Sequence, residues 1–325
     1  MPGEHSLVAE LGGSHDTVKE ALRLLEQEGL LINQGPGKRR LIAAASPAKT
    51  GLNVQLLLYE PNDSGTRQIL ELWRLLEASG HHFSFTAKSL VDLKQNPERV
   101  VKMVQDGLSD VCVIQSASAD VLKALLTAKQ PIFSFYGDMR ELPVPGAGAE
   151  LYSTLRAALR RLFEFGHQRI VMLGYAERRK PRLALFEQIF LEELQQQGIA
   201  GGAYNLPDWE ETPEGLSRCL RDLFAFTPPS AILVNDSVLY LAVKNFLAHE
   251  RGQELRKVTV ISTDYHATFD WCHPPVPHFR WDHQKVVRNV VRWVDRYAAG
   301  KRGDQRQTFA TAEFVGAELL GPPLR

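Results

Sequence analysis

The sequence predicts an α/β protein of parallel strands, preceded by a linker and a small helical segment. Two observations support this fold class. From residue 52 onward, short apolar runs typical of buried strands alternate with amphipathic stretches typical of helices. Just before them, residues 43–51 combine small residues with a proline, which is typical of a linker. The pattern therefore predicts three parts: residues 1–42, the linker at 43–51, and residues 52–325.

The composition indicates a soluble protein of two or three domains. Of the 325 residues, 44% are hydrophobic and 23% are charged, which allows a sizeable core. The formal net charge is zero, so contact with a nucleic acid would have to come from a local basic patch. The three cysteines lie far apart and suit a reducing compartment. Because no segment resembles a membrane span or a signal peptide, we expect a cytoplasmic protein without membrane contact.

The first 42 residues predict two helices followed by a β-hairpin. Apolar residues recur with helical spacing over 5–11 and 15–29, and Ser14 is suited to cap the second helix. A tight glycine-proline turn then separates two short apolar runs, which predicts a hairpin. The turn carries three basic residues, Lys38, Arg39 and Arg40.

The remaining chain alternates strands with helices. Strands are predicted at 54–59, 111–115, 132–136, 169–173, 231–234, 258–262 and 308–316. Helices are predicted at 66–79, 119–128, 150–165, 182–197, 237–250 and 284–299. The alternation restarts after residues 138–150, so we infer two similar lobes. One covers about residues 52–150 plus a C-terminal crossover, and the other covers about residues 151–280.

The N-terminal segment carries an ordered series of helix-turn-helix residues. They are Leu7-Val8-Ala9-Glu10-Leu11-Gly12, Thr17-Val18-Lys19-Glu20-Ala21-Leu22, and the turn Gly35-Pro36-Gly37. This series resembles, without gaps over residues 2–42, the winged helix-turn-helix of the gluconate-repressor (GntR) family. The resemblance implies a reader of double-stranded operator DNA. Members of that family normally have a further helix before the segment that begins here at Pro2, so we expect the head to lack its first helix.

In a helix-turn-helix, the N-terminal residues of the recognition helix reach base edges in the major groove. The residues at this position are Ser14, His15, Asp16 and Thr17. Lys19 follows His15 by one turn and is suited to contact a phosphate. Lys38, Arg39 and Arg40 on the wing are suited to the DNA backbone or the minor groove. The alternative is a helical hairpin with an ordinary solvated charged face. Because the head is not strongly basic, we expect a homodimer to be needed for useful affinity.

Four further segments occur in order along residues 52–325. They are Gly166-His167-Gln168-Arg169-Ile170, Arg182-Leu183-Ala184-Leu185-Phe186, Ala231-Ile232-Leu233-Val234-Asn235-Asp236, and Val258-Thr259-Val260-Ile261-Ser262-Thr263-Asp264. Together they resemble the effector domain of the lactose/galactose-repressor (LacI/GalR) family, which is similar to periplasmic sugar-binding proteins. The resemblance implies a two-lobed clamshell of parallel sheets with a ligand between the lobes. Leu185 and Ser262 stand where that family has glycine.

Open α/β sheets bind ligands beyond the carboxyl ends of their strands, and polar and aromatic residues occur at those positions here. From the first lobe we expect Tyr59, Gln115, Tyr136 and Asp138 to contact a ligand. From the second lobe and the returning chain we expect Arg182, Asn235, Asp264, Trp281 and Asp282. Carboxylates, amides and a guanidinium pair with sugar hydroxyls, and an aromatic ring covers the apolar face of a sugar. The alternatives are turn-forming Asx residues, a helix-face salt bridge and core aromatics.

Two other groups of residues were considered as sites. His266, Cys272, His273, His278 and His283 are potential metal ligands, but their spacing matches no standard zinc motif. Arg178, Arg179 and Lys180 suit either an anionic effector or a solvated loop. No nucleophile elbow, phosphate-binding glycine loop or supported carboxylate pair is found. We therefore expect no catalytic activity, no metal and no cofactor.

These observations predict a transcriptional repressor. Its operator affinity would be controlled allosterically by a small molecule, a sugar or sugar derivative, bound between the lobes. The alternative is a small-molecule-binding protein whose DNA-binding head is vestigial.

Overall fold

The structure, a computed structural model, describes residues 6–8, 12–27, 31–32, 40–42, 51–180, 183–249 and 258–323. The chain divides into two compact units. The first comprises residues 1–51 with 298–300, and the second comprises residues 52–297 with 301–325. Among the described residues, no helix is both long enough and apolar enough to cross a bilayer.

The first unit contains a helix and a hairpin. Helix α1 (His15–Gln27) begins directly after Ser14, whose Oγ accepts a hydrogen bond from a backbone N–H of the first turn at 3.2 Å. One face of this helix buries Val18 and Leu22 in a small apolar cluster. The antiparallel hairpin strands are β1 (Leu31–Ile32) and β2 (Leu41–Ile42).

The second unit begins with a first lobe of five parallel strands and three helices. The strands are β3 (Asn53–Leu57), β4 (His82–Phe85), β5 (Val111–Gln115), β6 (Ile132–Phe135) and β7 (Gly146–Glu150). The helices are α2 (Arg67–Ala78), α3 (Pro97–Asp106) and α4 (Ala119–Leu125).

A second lobe follows, and the chain then returns to the first. The second-lobe strands are β8 (Ile170–Leu173), β9 (Ala231–Val234), β10 (Thr259–Ser262) and β11 (His278–Trp281). Its helices are α5 (Tyr152–Glu164), α6 (Leu185–Gln196), α7 (Pro213–Phe226) and α8 (Ser237–His249). The returning elements are α9 (His283–Ala298) and β12 (Gln307–Val315).

All ten strands of the second unit join one sheet in the order β4-β3-β5-β6-β7-β12-β11-β10-β9-β8. Every neighbouring pair is parallel except β11 and β12. Residues 307–311 of β12 pair with β7, and residues 312–315 of the same strand pair with β11. The predicted α/β class with parallel strands is therefore confirmed. The sheet is shared through β12, an arrangement that the sequence did not reveal.

Helices cover both faces of the sheet in each lobe, as expected for buried parallel strands. In the first lobe, α2 and α9 pack on one face, while α3 and α4 pack on the other. In the second lobe, α5 and α6 cover one face, and α7 and α8 cover the other. Helix α9 belongs to the first lobe because its spaced residues Val286, Val290 and Val294 join that core.

His81, which follows helix α2, is a buried polar residue of the second unit. His81 is only 3% exposed, because its imidazole lies between the start of β3 and helix α9. Its Nδ1 accepts a hydrogen bond from the Leu52 N–H at 3.2 Å, and its Nε2 lies 3.2 Å from Asp295 Oδ1. The imidazole thus links the residue before β3 to helix α9, and its contact with Asp295 spans 214 positions that no local pattern connects.

Candidate functional site

The carboxyl ends of parallel strands from both lobes meet beside the segments in which the chain passes from one lobe to the other. We call this region the inter-lobe cleft. Its first-lobe residues are Glu60, Asp63, Gln115 and Tyr136. Its second-lobe residues are Tyr175, Asn235, Asp236 and Asp264, and Trp281 and His283 lie at a crossing. The hydrogen bond from Trp281 to Tyr136 joins strand ends of the two lobes.

At one end of the cleft, three polar atoms form a chain across the lobes. The Trp281 Nε1–H donates to Tyr136 Oη at 3.3 Å, and Tyr136 Oη lies 3.1 Å from His283 Nδ1. An indole N–H can only donate, so the tyrosine hydroxyl accepts from Trp281, and it shares a second hydrogen bond with the imidazole. The pKa of His283 is lowered to about 4, mainly by burial; Asp282 opposes this shift and Arg67 adds to it.

Backbone strain holds Tyr136 in this position. Tyr136 has φ of 62° and Gly137 has φ of 89°, both in the left-handed region. A Cβ at Gly137 would stand 2.6 Å from the Ala117 carbonyl oxygen, so only glycine fits there. The turn directs the tyrosine ring toward Trp281, with the two ring centroids 6.3 Å apart.

Carboxylates from the two lobes face each other in the cleft. Burial raises the pKa of Asp264 to about 7, and the charges of Asp236 and Asp63 add to the shift while the Tyr265 N–H opposes it. Burial likewise raises the pKa of Asp63 to about 6, with Glu60 and Asp236 contributing. The pKa of Glu60 is raised first by burial and then by Asp236. Asp236 therefore interacts with carboxyl groups of both lobes.

A second polar group surrounds Asn235. Its Nδ2 donates to Glu187 Oε1 at 3.1 Å, and the Arg178 Nε–H donates to the same oxygen at 2.6 Å. Glu187 is almost fully buried, so this pair fixes the orientation of the amide. Among the residues that the structure describes, Asn235 Oδ1 has no hydrogen-bond partner, and the atom is buried. The residue at position 174 must be glycine, because a Cβ there would lie 2.5 Å from the amide.

Several residues that the sequence predicted come together. Asp264 lies close enough to Tyr136 to raise the pKa of its hydroxyl, although burial is the larger cause. Gln115 Oε1 accepts a hydrogen bond from the Tyr59 N–H at 3.4 Å, and its side chain also interacts with Asp63.

Other predicted residues are placed differently. Tyr59 packs its ring against the first-lobe core. Asp138 acts on Tyr152 at the other side of the cleft. Asp282 is exposed and caps α9 by accepting from the Lys285 N–H at 3.0 Å. Arg182 lies outside the described residues. A ligand role for these residues stays a prediction.

The sequence interpretation missed Glu60, Asp63, Tyr175 and Asp236, and it considered His283 only as a metal ligand. Asp236 directly follows Asn235, and Glu60 directly follows Tyr59. Their positions after strands β9 and β3 were a usable signal, because polar residues there face the ligand side of a sheet. Asp63 and His283 carried no such signal, since each lies on a separate helical segment.

In the first unit, the residues expected to read DNA are exposed at the start of α1. They are Ser14, His15, Asp16, Thr17 and Lys19. The Ser14 and Thr17 hydroxyls lie 2.8 Å apart and cap the helix, so their contact with bases would compete with this bond. Arg40 is ion-paired with Glu26. Lys38 and Arg39 lie outside the described residues.

Part of the chain matches a known protein family. Residues 159–315 match the sequence model of the family described as the periplasmic binding protein-like domain. The second unit has a periplasmic-binding-protein-like fold. The predicted two-lobed architecture is thereby confirmed. A search of curated protein sequences found no match.

Solved structures similar to this chain include regulators of the LacI type. The transcriptional regulator CelR in complex with cellobiose is 17% identical, with 97% of this chain and 98% of that chain covered and a TM-score of 0.64. The transcription regulator CcpA of Lactococcus lactis is 11% identical over 82% of this chain and 98% of that chain, with a TM-score of 0.66. The LacI family regulator CCPA from Weissella paramesenteroides with bound glucose is 12% identical over 81% and 96%, with a TM-score of 0.60. At these identities, the likeness is one of fold.

Proposed function

We propose that this protein is a DNA-binding transcriptional repressor whose operator affinity is controlled by a small polyhydroxylated molecule bound in the inter-lobe cleft. The observation that carries this proposal is the convergence of carboxylate, amide and aromatic side chains from both lobes at the strand ends. Such a set pairs with vicinal hydroxyls and covers an apolar sugar face. The similar structures with cellobiose and glucose bound support a carbohydrate-class ligand.

The DNA-binding part of the proposal rests on the first unit. Helix α1 presents an exposed N-terminal turn, and a two-stranded hairpin follows it, as in a winged helix-turn-helix of the GntR type. The likeness to CelR covers 97% of this chain, more than residues 52–325 alone would supply. We propose that a homodimer places two such helices on a two-fold operator.

The coupling between ligand and DNA follows from the crossings between the lobes. The chain passes between lobes before α5, between β11 and α9, and along β12. A ligand that contacts strand ends of both lobes favours one arrangement of these crossings. If DNA favours a different arrangement, ligand binding releases the operator.

A fluorescence anisotropy titration tests this function. The full chain would be titrated into a labelled duplex from the region upstream of its own coding sequence, at two salt concentrations and with nonspecific competitor. We expect tight, salt-sensitive binding. The Lys19→Ala variant should bind DNA of every sequence more weakly. Its slope of log affinity against log salt should be smaller by about 1. The matched control is Lys244→Ala, which changes an exposed side chain on helix α8 of the second unit.

Two results would contradict the proposal. Equal affinity of the Lys19→Ala variant and the control would remove α1 from the DNA interface. A complete lack of specific binding by the unmodified chain would favour the small-molecule-binding alternative.

A further inference from the structure

We infer that the second lobe carries a separate binding site for an oxyanion, that is, for a carboxylate or phosphate group, centred on the buried side chain of Arg179. We call it the Arg179 site, and it is formed by Arg179, Lys180 and Asp208 beside helix α7. This inference goes beyond the proposed function, because it depends neither on DNA binding nor on the ligand of the inter-lobe cleft.

Arg179 is a charged residue that the fold removes from water. The short helical turn Ala176–Arg178 follows strand β8, and the Arg179 N–H donates to the Ala176 carbonyl oxygen at 2.8 Å. The Arg179 side chain is only 5% exposed, and its guanidinium reaches Asp208 and acts on the Cys219 thiol of α7. A buried guanidinium is costly unless its charge and its N–H groups are paired.

One nitrogen of this guanidinium is paired and two are not. The Nη1–H groups donate to Asp208 Oδ1 at 2.8 Å and to the Pro207 carbonyl oxygen. Nε and Nη2 are both buried, and neither has a hydrogen-bond partner among the residues that the structure describes. Native proteins rarely leave buried donors unpaired, so two on one charged side chain indicate a binding site.

The two unpaired nitrogens form a single edge of the guanidinium. In this planar group, the Nε–H and the neighbouring Nη2–H point in parallel, while Nη1 lies on the side of Cδ. Such an edge donates two hydrogen bonds to the two oxygens of one carboxylate or phosphate group. A hydroxyl or a carbonyl group has only one oxygen and no charge, so it would satisfy the edge less well.

The charges around Arg179 also favour an anion. The Asp208 carboxylate is shared, because its Oδ2 lies 2.8 Å from Lys180 Nζ while its Oδ1 accepts from Arg179. These three side chains therefore carry one net positive charge. Burial raises the pKa of the Cys219 thiol to about 11, Asp222 adds to this shift and Arg179 opposes it. The thiol is thus neutral at physiological pH and does not balance the guanidinium.

The exposed residues of the site provide a route from solvent. The Lys180 and Asp208 side chains are 63% and 62% exposed. An exposed carboxylate contributes little to an ion pair, so Asp208 can exchange its contact with Arg179 for water at small cost. We expect Asp208 to move when an anion binds along the free edge of Arg179.

Isothermal titration calorimetry on the full chain tests the inference with three sodium salts at constant ionic strength. Phosphate and acetate each present two oxygens, whereas chloride is a single atom. We expect phosphate or acetate to bind at least ~10-fold more tightly than chloride. Tighter binding of phosphate would indicate a phosphorylated ligand, and tighter binding of acetate would indicate a carboxylic acid.

A substitution of Arg179 locates the anion. Arg179→Lys keeps the positive charge but removes the two-nitrogen edge, so it should weaken binding at least ~10-fold. The matched control Arg160→Lys changes an exposed arginine on helix α5 and should leave the affinity unchanged. Lys19→Ala, in the first unit, should also leave it unchanged. Circular dichroism spectra would verify that each variant is folded.

A substitution of Asp208 gives the opposite result. Asp208→Asn removes the carboxylate that competes with the anion for the same guanidinium, so binding should become several-fold tighter. Its control is Asp106→Asn, which changes an exposed carboxyl group at the end of α3 and should have no effect. Because Asp208 is exposed, this variant decides the question even if Arg179→Lys does not fold.

Three results would overturn the inference. They are binding of phosphate and acetate no tighter than that of chloride, equal affinity of Arg179→Lys and the unmodified chain, and weaker binding by Asp208→Asn. None of these titrations contains DNA. A failed operator titration would therefore leave the Arg179 site intact, and failure of the Arg179 site would leave the proposed repressor intact.

Discussion

Asp264 illustrates how position alone changes the chemistry of a side chain. Its carboxyl group follows the buried strand β10, and it is opposed by the carboxyl groups of Asp236 and Asp63. Desolvation penalises the charged form, and like charges add to that penalty. The pKa of about 7 means that the folded protein keeps a proton on Asp264 that the unfolded chain loses near its ordinary value of 3.8.

A pH dependence of stability follows from Asp264. Because the pKa of Asp264 is raised in the folded protein, the stability that this group contributes is fully present below about pH 4. That stability is lost as the pH rises through about 7. At pH 8, we expect the free energy of unfolding of Asp264→Asn to exceed that of the wild type by roughly 1 kcal/mol or more. At pH 4, the two free energies should differ little. Urea unfolding at several pH values measures this difference.

The control for this series is Asp106→Asn, which changes an exposed carboxyl group at the end of α3. Its stability should follow the wild-type pH profile. Parallel profiles for Asp264→Asn and the wild type would show that the pKa of Asp264 does not differ between the folded and the unfolded chain.

At the scale of elements, helix α9 shows how an amphipathic pattern determines packing. Val286, Val290 and Val294 recur every four residues, and all three are buried in the first-lobe core. The sequence predicted this helix, but not the lobe that receives it. That assignment depends on packing with β3 and β5, which lie more than 160 positions earlier in the chain.

We expect Val290→Ala to lower the free energy of unfolding by about 2 kcal/mol. The substitution removes two buried methyl groups and leaves a cavity that the surrounding core fills only partly. The matched control Val291→Ala, a half-buried neighbour on the same helix, should cost less. Chemical unfolding of both variants gives the comparison, and equal losses would contradict the burial argument.

Several elements escaped the sequence interpretation for a common reason. Strand β7 has the sequence Gly-Ala-Gly-Ala-Glu, which lacks the bulky β-branched residues typical of strands. It forms because β6 and β12 flank it, and because Gly146 leaves room for the Met139 side chain and the Ser134 carbonyl. Strands β4 and β11 and helices α3 and α7 were also missed. Strand β11 directly follows a proline-rich stretch, and proline is depleted in strands.

At the scale of the whole molecule, the proposed coupling between DNA and ligand must be reciprocal. If a ligand lowers operator affinity by a given factor, the operator lowers ligand affinity by the same factor. We expect calorimetric ligand titrations with and without saturating operator duplex to differ by the factor found in DNA titrations with and without ligand. A scrambled duplex of equal length is the control. Unequal factors would mean that ligand and DNA do not act through one pair of conformations.

The sequence by itself determined the α/β class and located several residues of the candidate cleft. Apolar strands followed by polar residues, such as β9 before Asn235 and β10 before Asp264, are local patterns that survive in any tertiary arrangement. Only the tertiary structure decided that Asp63 faces Asp236 and Asp264, that Tyr136 meets His283, and that β12 serves both lobes. These features depend on contacts between distant parts of the chain, and local propensity carries no information about such contacts.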